Sequence, residues 1–259
     1  MSQKKRLPIG YEDFKRIIDE DLYYVDKSMF IYELIKNRGS NNLITRPRRF
    51  GKTLNFSMLR YFFDITEKDN AYLFDDLKIS EYYSEIGEYR NAYPVITLSL
   101  KCAKTGDYDT AIYYLRQEIQ GQFEKYSAAW NNDQVSTSLR QEIGQIMNIN
   151  AGVKELGTSI KILCECLKQY YGKNTIILID EYDVPLEDAY FSGYYDKMVR
   201  FIRSLFESAL KTNSALEFSV ITGCLRISKE SIFTGLNNLK INSIMDALYS
   251  QYFGFEEKE

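Results

Sequence analysis

The chain has 259 residues, of which 45% are hydrophobic and 27% are charged, and this balance excludes disordered, collagen-like and low-complexity proteins. It contains no histidine, which excludes histidine-dependent catalytic triads, histidine-bearing zinc sites and HxE deaminases. The formal net charge of −3 argues against a protein that wraps nucleic acid over its whole surface.

The distribution of apolar residues and cysteines indicates the compartment. No apolar run approaches the ~20 residues that a membrane-spanning helix needs. The basic N-terminus is not followed by the apolar stretch of a signal peptide. The four cysteines form neither a CxxC pair nor a disulfide framework, which suits a reducing environment. We therefore expect a cytoplasmic protein without a membrane segment.

Short apolar runs alternate with amphipathic helical patterns along the chain. Strands are predicted at residues 42–45, 93–100, 175–180 and 216–222, with a weaker candidate at 239–244. Helices are predicted at residues 53–63, 108–126, 138–147, 156–171 and 196–210. Continuous apolar character in the third strand is typical of a parallel strand that is covered on both faces. We predict an α/β fold with a mostly parallel sheet flanked by helices, and a helical insertion within residues 101–172.

The segment RPRRFGKT, residues 46–53, has the composition of a phosphate-binding loop of the Walker A type. Such a loop needs backbone N–H groups around an anion, a helix N-terminus, a lysine for the outer phosphates and a hydroxyl for Mg²⁺. These requirements are met by consecutive residues, namely Arg48, Arg49, Phe50, Gly51, Lys52 and Thr53. Arg46 replaces the first glycine of GxxxxGK[ST], and Pro47 lacks an N–H group. A surface turn that caps a helix is the alternative.

Two carboxylates follow the apolar residues of the third predicted strand. In α/β folds the carboxyl ends of the strands carry the ligand-binding side chains. Asp180 would hold the water shell of Mg²⁺ together with Thr53, and Glu181 would polarise the attacking water. An acidic cap on a buried strand is the alternative. We interpret Asp183 as a turn residue before Pro185.

The fourth predicted strand also ends in polar residues. Thr222 is placed to sense a γ-phosphate, and Arg226 to neutralise charge as the terminal phosphoryl group leaves. An ordinary ion pair at a helix start is the alternative for Arg226. We interpret Cys224 as a small buried filler.

Five segments in this order resemble the bacterial AAA-ATPase-like family: LPIG at 7–10, YVDK at 24–27, RPRRFGKT at 46–53, IILIDEYD at 176–183 and TGCLRISKESIFTGLNNLK at 222–240. The resemblance covers nearly the whole chain. It implies a P-loop fold of the additional-strand (AAA) type, in which the strands that end before Arg46 and at Asp180 flank the Thr222 strand. It also implies ATP and Mg²⁺ as ligands, a family variant of the phosphate loop, and a nucleotide-base pocket lined by Pro8, Ile9 and Tyr24.

Members of that family typically continue into a helical lid and a nuclease-type domain of the PD-(D/E)XK superfamily. We therefore expect residues 1–245 to form an ATPase domain and residues 246–259 to begin a truncated lid. The apolar residues of this segment would fold back on the core, mediate self-association or be disordered. The closing residues 256–258 match an ExK motif by spelling only, so we expect no nuclease activity. Without the lid we expect a dissociation constant for ATP no better than roughly tens of micromolar and turnover well below ~1 s⁻¹.

Three functions compete at this stage. The first is Mg²⁺-dependent ATP binding and hydrolysis that couples nucleotide state to an appended nuclease-type domain. The second is a nucleotide-gated switch with little hydrolysis, whose output is oligomerisation or partner binding. The third is a nucleic-acid-binding module that uses the arginines of residues 46–49. The sequence contains no NKxD-type guanine reader, which favours adenine as the base.

Overall fold

The core of the fold is a parallel β-sheet. The computed structural model describes residues 5–224, 232–233, 236, 238–257 and 259. Across these residues the sheet has five strands: β1 (Asn41–Thr45), β2 (Val95–Ser99), β3 (Thr175–Asp180), β4 (Leu216–Gly223) and β5 (Leu239–Asn242). The strand order is β2-β3-β4-β1-β5, and every pairing is parallel. All five carboxyl ends therefore lie along one edge of the sheet.

The predicted α/β fold with a parallel sheet is confirmed, and the differences lie at strand ends. β2 begins at Val95 rather than at residue 93, because Pro94 has no N–H group to offer a ladder. β5 ends at Asn242 rather than at residue 244. β4 lies between β1 and β3, as the family resemblance implies for the Thr222 strand.

Helices cover both faces of the sheet. They are α1 (Phe14–Asp19), α2 (Met29–Asn37), α3 (Lys52–Phe63), α4 (Tyr83–Ile86), α5 (Tyr108–Lys125), α6 (Ser127–Trp130), α7 (Thr137–Ile146), α8 (Val153–Tyr171), α9 (Val184–Ser192) and α10 (Tyr195–Phe206). The helix predicted at 196–210 is shorter than expected, because a π-helical turn, Glu207–Lys211, follows α10. In the described part of the chain, no helix has the length and apolar character that crossing a membrane requires.

Side-chain alternation along the strands divides the core into two layers. Ile177 and Ile179 of β3 belong to the layer that contains α5 and α7–α10. Ile176 and Leu178 belong to the opposite layer, with α2 and α3. Because successive strand residues point to opposite faces, an apolar run is what a strand between two helical layers requires.

Helix α5, the first long helix of the region 101–172, covers the outer edge of β2. Its side chains accept hydrogen bonds from alternate N–H groups of the strand. Val95 N donates to the Tyr126 hydroxyl just after the helix (2.9 Å), Thr97 N to Gln122 Oε1 (3.1 Å) and Ser99 N to Glu118 Oε1 (2.8 Å). An exposed strand edge invites pairing with another chain, and these side chains occupy this edge instead.

The segment 246–255 folds back on the layer that contains α2 and α3. The rings of Tyr249, Tyr252 and Phe253 surround Phe30, with centroid separations of 5.3 to 5.7 Å. Phe255 is 81% exposed and stands outside this aromatic cluster. These three aromatic side chains of the segment are therefore part of the core.

Candidate functional site

The loop between β1 and α3 contains two residues with left-handed backbone, a feature that anion-binding loops share. Arg49 (φ +69°) and Gly51 (φ +74°) adopt left-handed conformations on either side of Phe50. Left-handed residues alternating with right-handed ones turn successive N–H groups toward one point. The 12-residue helix α3 starts immediately afterwards, at Lys52, so its positive N-terminal end faces the same point.

Lys52 lies inside this loop rather than on its surface. Its ammonium group donates hydrogen bonds to the carbonyl oxygens of Arg46 and Pro47, both at 3.0 Å. It also lies 3.4 Å from Cys224 Sγ. Cys224 is half-buried and lines the adjacent cleft, so the interpretation of this residue as a buried filler is wrong.

Arg46, at the position of the missing glycine, is a structural residue. It is 2% exposed, and its guanidinium donates to the carbonyl oxygens of Thr45 (2.9 Å) and Asn242 (3.0 Å). The same group lies over the Phe253 ring, 5.2 Å from its centroid. Arg46 therefore joins β1, β5 and the segment 246–255, and it is not available to an exposed nucleic-acid patch.

Asp180 is held by two hydroxyl groups at the end of β3. Thr53 Oγ1 donates to Asp180 Oδ2 at 2.8 Å, and Thr222 Oγ1 donates to Asp180 Oδ1. The structure thus brings together residues from α3, β3 and β4 that the sequence analysis assigned to one site. Thr222 is fully buried and does not line the cleft, so its hydroxyl orients Asp180 instead of facing a γ-phosphate as expected.

Glu181 has a strained backbone next to this pair. Its φ of +54° lies in the left-handed region, which is rare for a residue with a Cβ. Glu181 lines a cleft of about 600 Å³ together with Lys52, Thr53 and the exposed side chains of Arg48 and Arg49. Burial, and next the charge of Asp180, raise the pKa of the Glu181 carboxyl above its ordinary value, while Lys101 and Lys52 oppose the shift.

The donor set fits a magnesium ion that arrives with a phosphate ligand. Hydroxyl and carboxylate oxygens are hard donors of the kind that Mg²⁺ prefers. Among the described residues, no group of three or more His, Cys, Asp or Glu side chains is placed to enclose a metal. Thr53 and Asp180 therefore suit an ion that keeps water and substrate phosphate oxygens as its other ligands.

A second, mainly apolar cavity of about 210 Å³ adjoins the cleft at the start of α3, where both are lined by Gly51 and Leu54. The predicted base-pocket residues Pro8 and Tyr24 line it. Ile9 does not line it and is 84% exposed. The sequence analysis missed the opposite wall, which is formed by aromatic side chains and a glycine, namely Phe50, Tyr252, Gly254 and Phe255.

Two lysines in the cleft were also missed. Lys101 and Lys104 follow the carboxyl end of β2, the strand beside β3, and line the cleft with Glu181. The only signal in the sequence was their position shortly after a strand, within a region interpreted as a helical insertion. Arg226, to which we assigned a catalytic cation, lies outside the described residues.

Comparisons with known proteins bear on the family of the chain. No solved structure matches the chain. A protein of Azotobacter chroococcum mcd 1, named "Uncharacterized protein in vnfD 5'region", is 27% identical over 261 residues. The match covers 99% of this chain and 44% of that protein, so the chain spans less than half of the relative's length. The family described as "Predicted AAA-ATPase" matches residues 8–233. The chain therefore belongs to this bacterial AAA-ATPase-like family.

Proposed function

We propose that the chain binds ATP with Mg²⁺ and hydrolyses it. The observation that carries the proposal is the convergence of four features at one cleft. Arg49 and Gly51 of the left-handed loop, Lys52, Thr53 and Glu181 line this cleft, and the Thr53 hydroxyl donates to Asp180 beside it. These are the parts that phosphoryl transfer needs, because its catalysis consists almost entirely of positioning and charge stabilisation.

The two cavities divide the nucleotide between them. The loop N–H groups from Arg48 to Thr53 and the ammonium of Lys52 would bind the phosphates in the cleft. The adjoining apolar cavity, with Pro8, Tyr24 and Phe50 in its wall, would bind the base. The strand order, with β4 between β1 and β3, supports a P-loop fold of the additional-strand (AAA) type.

The chemistry assigned to the chain's own residues follows from their positions. Mg²⁺, when bound, would neutralise charge on the phosphate oxygens. A water oxygen bonds to the γ-phosphorus while the bond from that phosphorus to its bridging oxygen breaks. The electron pair leaves with ADP, and the water proton passes to the Glu181 carboxylate. Thr222 keeps Asp180 oriented toward Thr53 throughout.

A specific contact favours nucleotide-dependent switching as a second function. Gly254 N donates to the carbonyl oxygen of Phe50 in the phosphate loop (3.1 Å), and Asn55 Nδ2 of α3 donates to the carbonyl oxygen of Tyr252 (2.9 Å). The segment 246–255 is thus bonded directly to the loop that would change on nucleotide binding. We propose that it transmits nucleotide state to a following partner, the nuclease-type domain that the resemblance implies.

Phosphate release by the purified chain, measured with and without Mg²⁺, tests the proposal. We expect Mg²⁺-dependent release that Glu181→Gln lowers by at least ~100-fold while ATP binding persists. ATP binding without Mg²⁺-dependent release would favour the switch. Absence of ATP binding would contradict both functions, and a salt-sensitive mobility shift of DNA would then point to the exposed arginines Arg48 and Arg49.

A further inference from the structure

The residues after β2 form a rigid turn beside the candidate site. Ser99, the last residue of β2, is paired with Asp180 of β3. The chain then enters a 3₁₀ turn, Leu100–Ala103, in which residues three apart lie on the same side. Leu100 and Ala103 are buried, so the next positions along the turn, Lys101 and Lys104, share the neighbouring side. Both lysines line the cleft that contains Lys52 and Glu181.

Hydrogen bonds from α9 and α5 anchor this turn. The carboxylate of Asp188 in α9 accepts from the N–H groups of Thr105 (3.1 Å) and Gly106 (2.8 Å), and from the Tyr194 hydroxyl (2.8 Å). At the other end, Ser99 N donates to Glu118 of α5. Helix α9 begins only a few residues after Glu181, so the same helix fixes the position of both the turn and Glu181.

Lys101 is not committed to a strong structural ion pair among the described residues. Its nearest carboxylate is Glu12, at 3.9 Å, and the two side chains are 63% and 67% exposed. Exposed pairs of this kind contribute little to stability. Lys101 follows Ser99, the register partner of Asp180, by two residues, whereas Lys104 follows it by five. In keeping with this order, Lys101 lowers the pKa of Glu181 and Lys104 lowers the pKa of Asp188. Lys101 is therefore the cation of this wall that is both close to Glu181 and available to a ligand.

We propose that the Lys101 ammonium contacts the γ-phosphate of ATP and stabilises the transfer of this group to water. Lys101 and Lys52 then act from the same chain. This inference rests on the proposed ATPase function. As the water oxygen bonds to the γ-phosphorus and the bridging bond breaks, negative charge grows on the bridging oxygen that leaves with ADP. Lys52 faces the phosphates from the loop side and Lys101 from the β2 side. The two ammonium groups would lie on either side of the phosphoryl group that is transferred, so the reaction would not need a cation from a second subunit.

Lys101→Gln tests the contact, with Lys101→Arg as the conservative variant. We expect Lys101→Gln to lower kcat by about 100-fold, the size typical of removing one donor to developing charge. We also expect it to lower the ratio of ATP affinity to ADP affinity about tenfold, because only ATP carries the γ-phosphate. Lys101→Arg should recover most of both losses, since it restores the positive charge.

Two matched lysine variants separate this role from general electrostatics. Lys104→Gln, in the same turn, should weaken ATP and ADP binding by equal factors and leave their ratio unchanged. Lys173→Gln removes an exposed lysine at the opposite end of the sheet, where its ammonium lies over Tyr93, and should change nothing. Thermal unfolding of every variant should match the wild type, because each of these side chains is exposed.

The outcomes distinguish the inference from the proposed function. A wild-type chain that neither binds nor hydrolyses ATP contradicts both. A wild-type chain that hydrolyses ATP, with Lys101→Gln equal to it in kcat and in the ATP-to-ADP ratio, overturns only the role of Lys101. Equal losses of ATP and ADP affinity in Lys101→Gln also overturn it. If the wild type binds ATP without hydrolysing it, the ratio of ATP affinity to ADP affinity is the test. A lower ratio in Lys101→Gln supports the contact with the γ-phosphate, and an unchanged ratio overturns it.

Discussion

Two of the clusters of buried polar side chains in this fold differ in how their charged groups are paired. In the Asp64 cluster, formed by Asp64, Thr66, Lys125 and Tyr126, the carboxylate is 0% exposed and meets the Lys125 ammonium at 2.6 Å. Thr66 donates to the same carboxylate through its N–H (3.0 Å) and its hydroxyl (2.9 Å). The charge of Asp64 is therefore neutralised within the protein.

The nucleotide cluster is formed by Lys52, Thr53, Asp180, Glu181 and Thr222, and within the described part of the chain its charged groups form no close ion pair. Lys52 donates to neutral carbonyl oxygens, and Asp180 accepts from hydroxyl groups. Among the residues that the structure describes, no ammonium or guanidinium group lies within ion-pair distance of either carboxylate. The comparison teaches that a cluster of buried polar side chains does not by itself indicate a ligand site. A ligand site also contains charged side chains whose opposite charge is supplied by the ligand.

Removing the Lys52 ammonium from the nucleotide cluster should have the largest effect, which is on ATP binding. Lys52→Ala should weaken ATP binding by about 2–4 kcal/mol, because no neutral side chain restores the attraction to the phosphates. The free energy of unfolding should fall by only about 1 kcal/mol, since two ordinary hydrogen bonds to carbonyl oxygens are lost. Calorimetric titration with ATP measures the first effect, with Lys173→Ala as the control. Near-native affinity would mean that the phosphate loop is wrongly assigned.

Removing the Lys125 ammonium from the Asp64 cluster should have a slightly smaller effect, which is on stability and not on ATP binding. Lys125→Met keeps the length of the side chain but leaves the buried Asp64 carboxylate without its cation. We expect the free energy of unfolding to fall by about 2–3 kcal/mol, less than for a fully buried pair because Lys125 is partly exposed. Urea denaturation measures it. ATP affinity should stay at the wild-type value, and a loss there would contradict the separation of the two clusters.

Relieving strain in the nucleotide cluster should raise stability. Glu181→Gly removes the energetic penalty that a residue with a Cβ has in the left-handed conformation. It also adds a cost, because glycine loses more backbone entropy on folding. The free energy of unfolding should rise by about 0.5–1 kcal/mol. Hydrolysis should disappear at the same time. Glu181→Gln keeps the strain and removes the charge, so it separates the two contributions in urea denaturation. A glycine variant no more stable than the glutamine variant would argue against stored strain.

The smallest expected effect is the pH dependence that the Glu181 carboxyl gives to the nucleotide cluster. The pKa of Glu181 is raised in the folded state, so its contribution to stability is complete below the unfolded value near 4.5. That contribution is lost as the pH rises through the higher folded pKa. The difference in the free energy of unfolding between the wild type and Glu181→Gln, measured by denaturation at several pH values, should fall over this interval. The other carboxyls with shifted pKa values, such as Glu118 and Asp188, are present in both chains. Hydrolysis should rise over the same interval, because the base must be ionised, and an acidic limb at or below 4.5 would contradict the assignment.

Local pattern was enough to predict the candidate site residues that lie in contiguous segments. Lys52 and Thr53 were predicted from the loop composition, and Asp180 and Glu181 from their place at the end of an apolar strand. Lys101 was missed because its relation to Glu181 arises from the pairing of β2 with β3, strands far apart in sequence. The left-handed backbone of Glu181 was equally hidden, since neither glycine nor asparagine occupies the position.

Arg46 illustrates the same limit. The sequence identified it as a departure from the glycine of the phosphate-loop pattern and offered it to a basic surface patch. Its burial among β1, β5 and the Phe253 ring depends on where residues about 200 positions later pack. The wall of the apolar cavity that contains Tyr252 and Gly254 has the same origin.

The sequence alone therefore established the α/β class, the approximate strands and the loop that would hold phosphate. Periodicity, turns and short motifs are encoded within a few neighbouring residues, so they can be recognised without a structure. The order of the strands, the two walls of the cleft and the pairing or non-pairing of buried charges were decided by tertiary packing. They depend on the free energy of bringing distant segments together, which no local window of sequence contains.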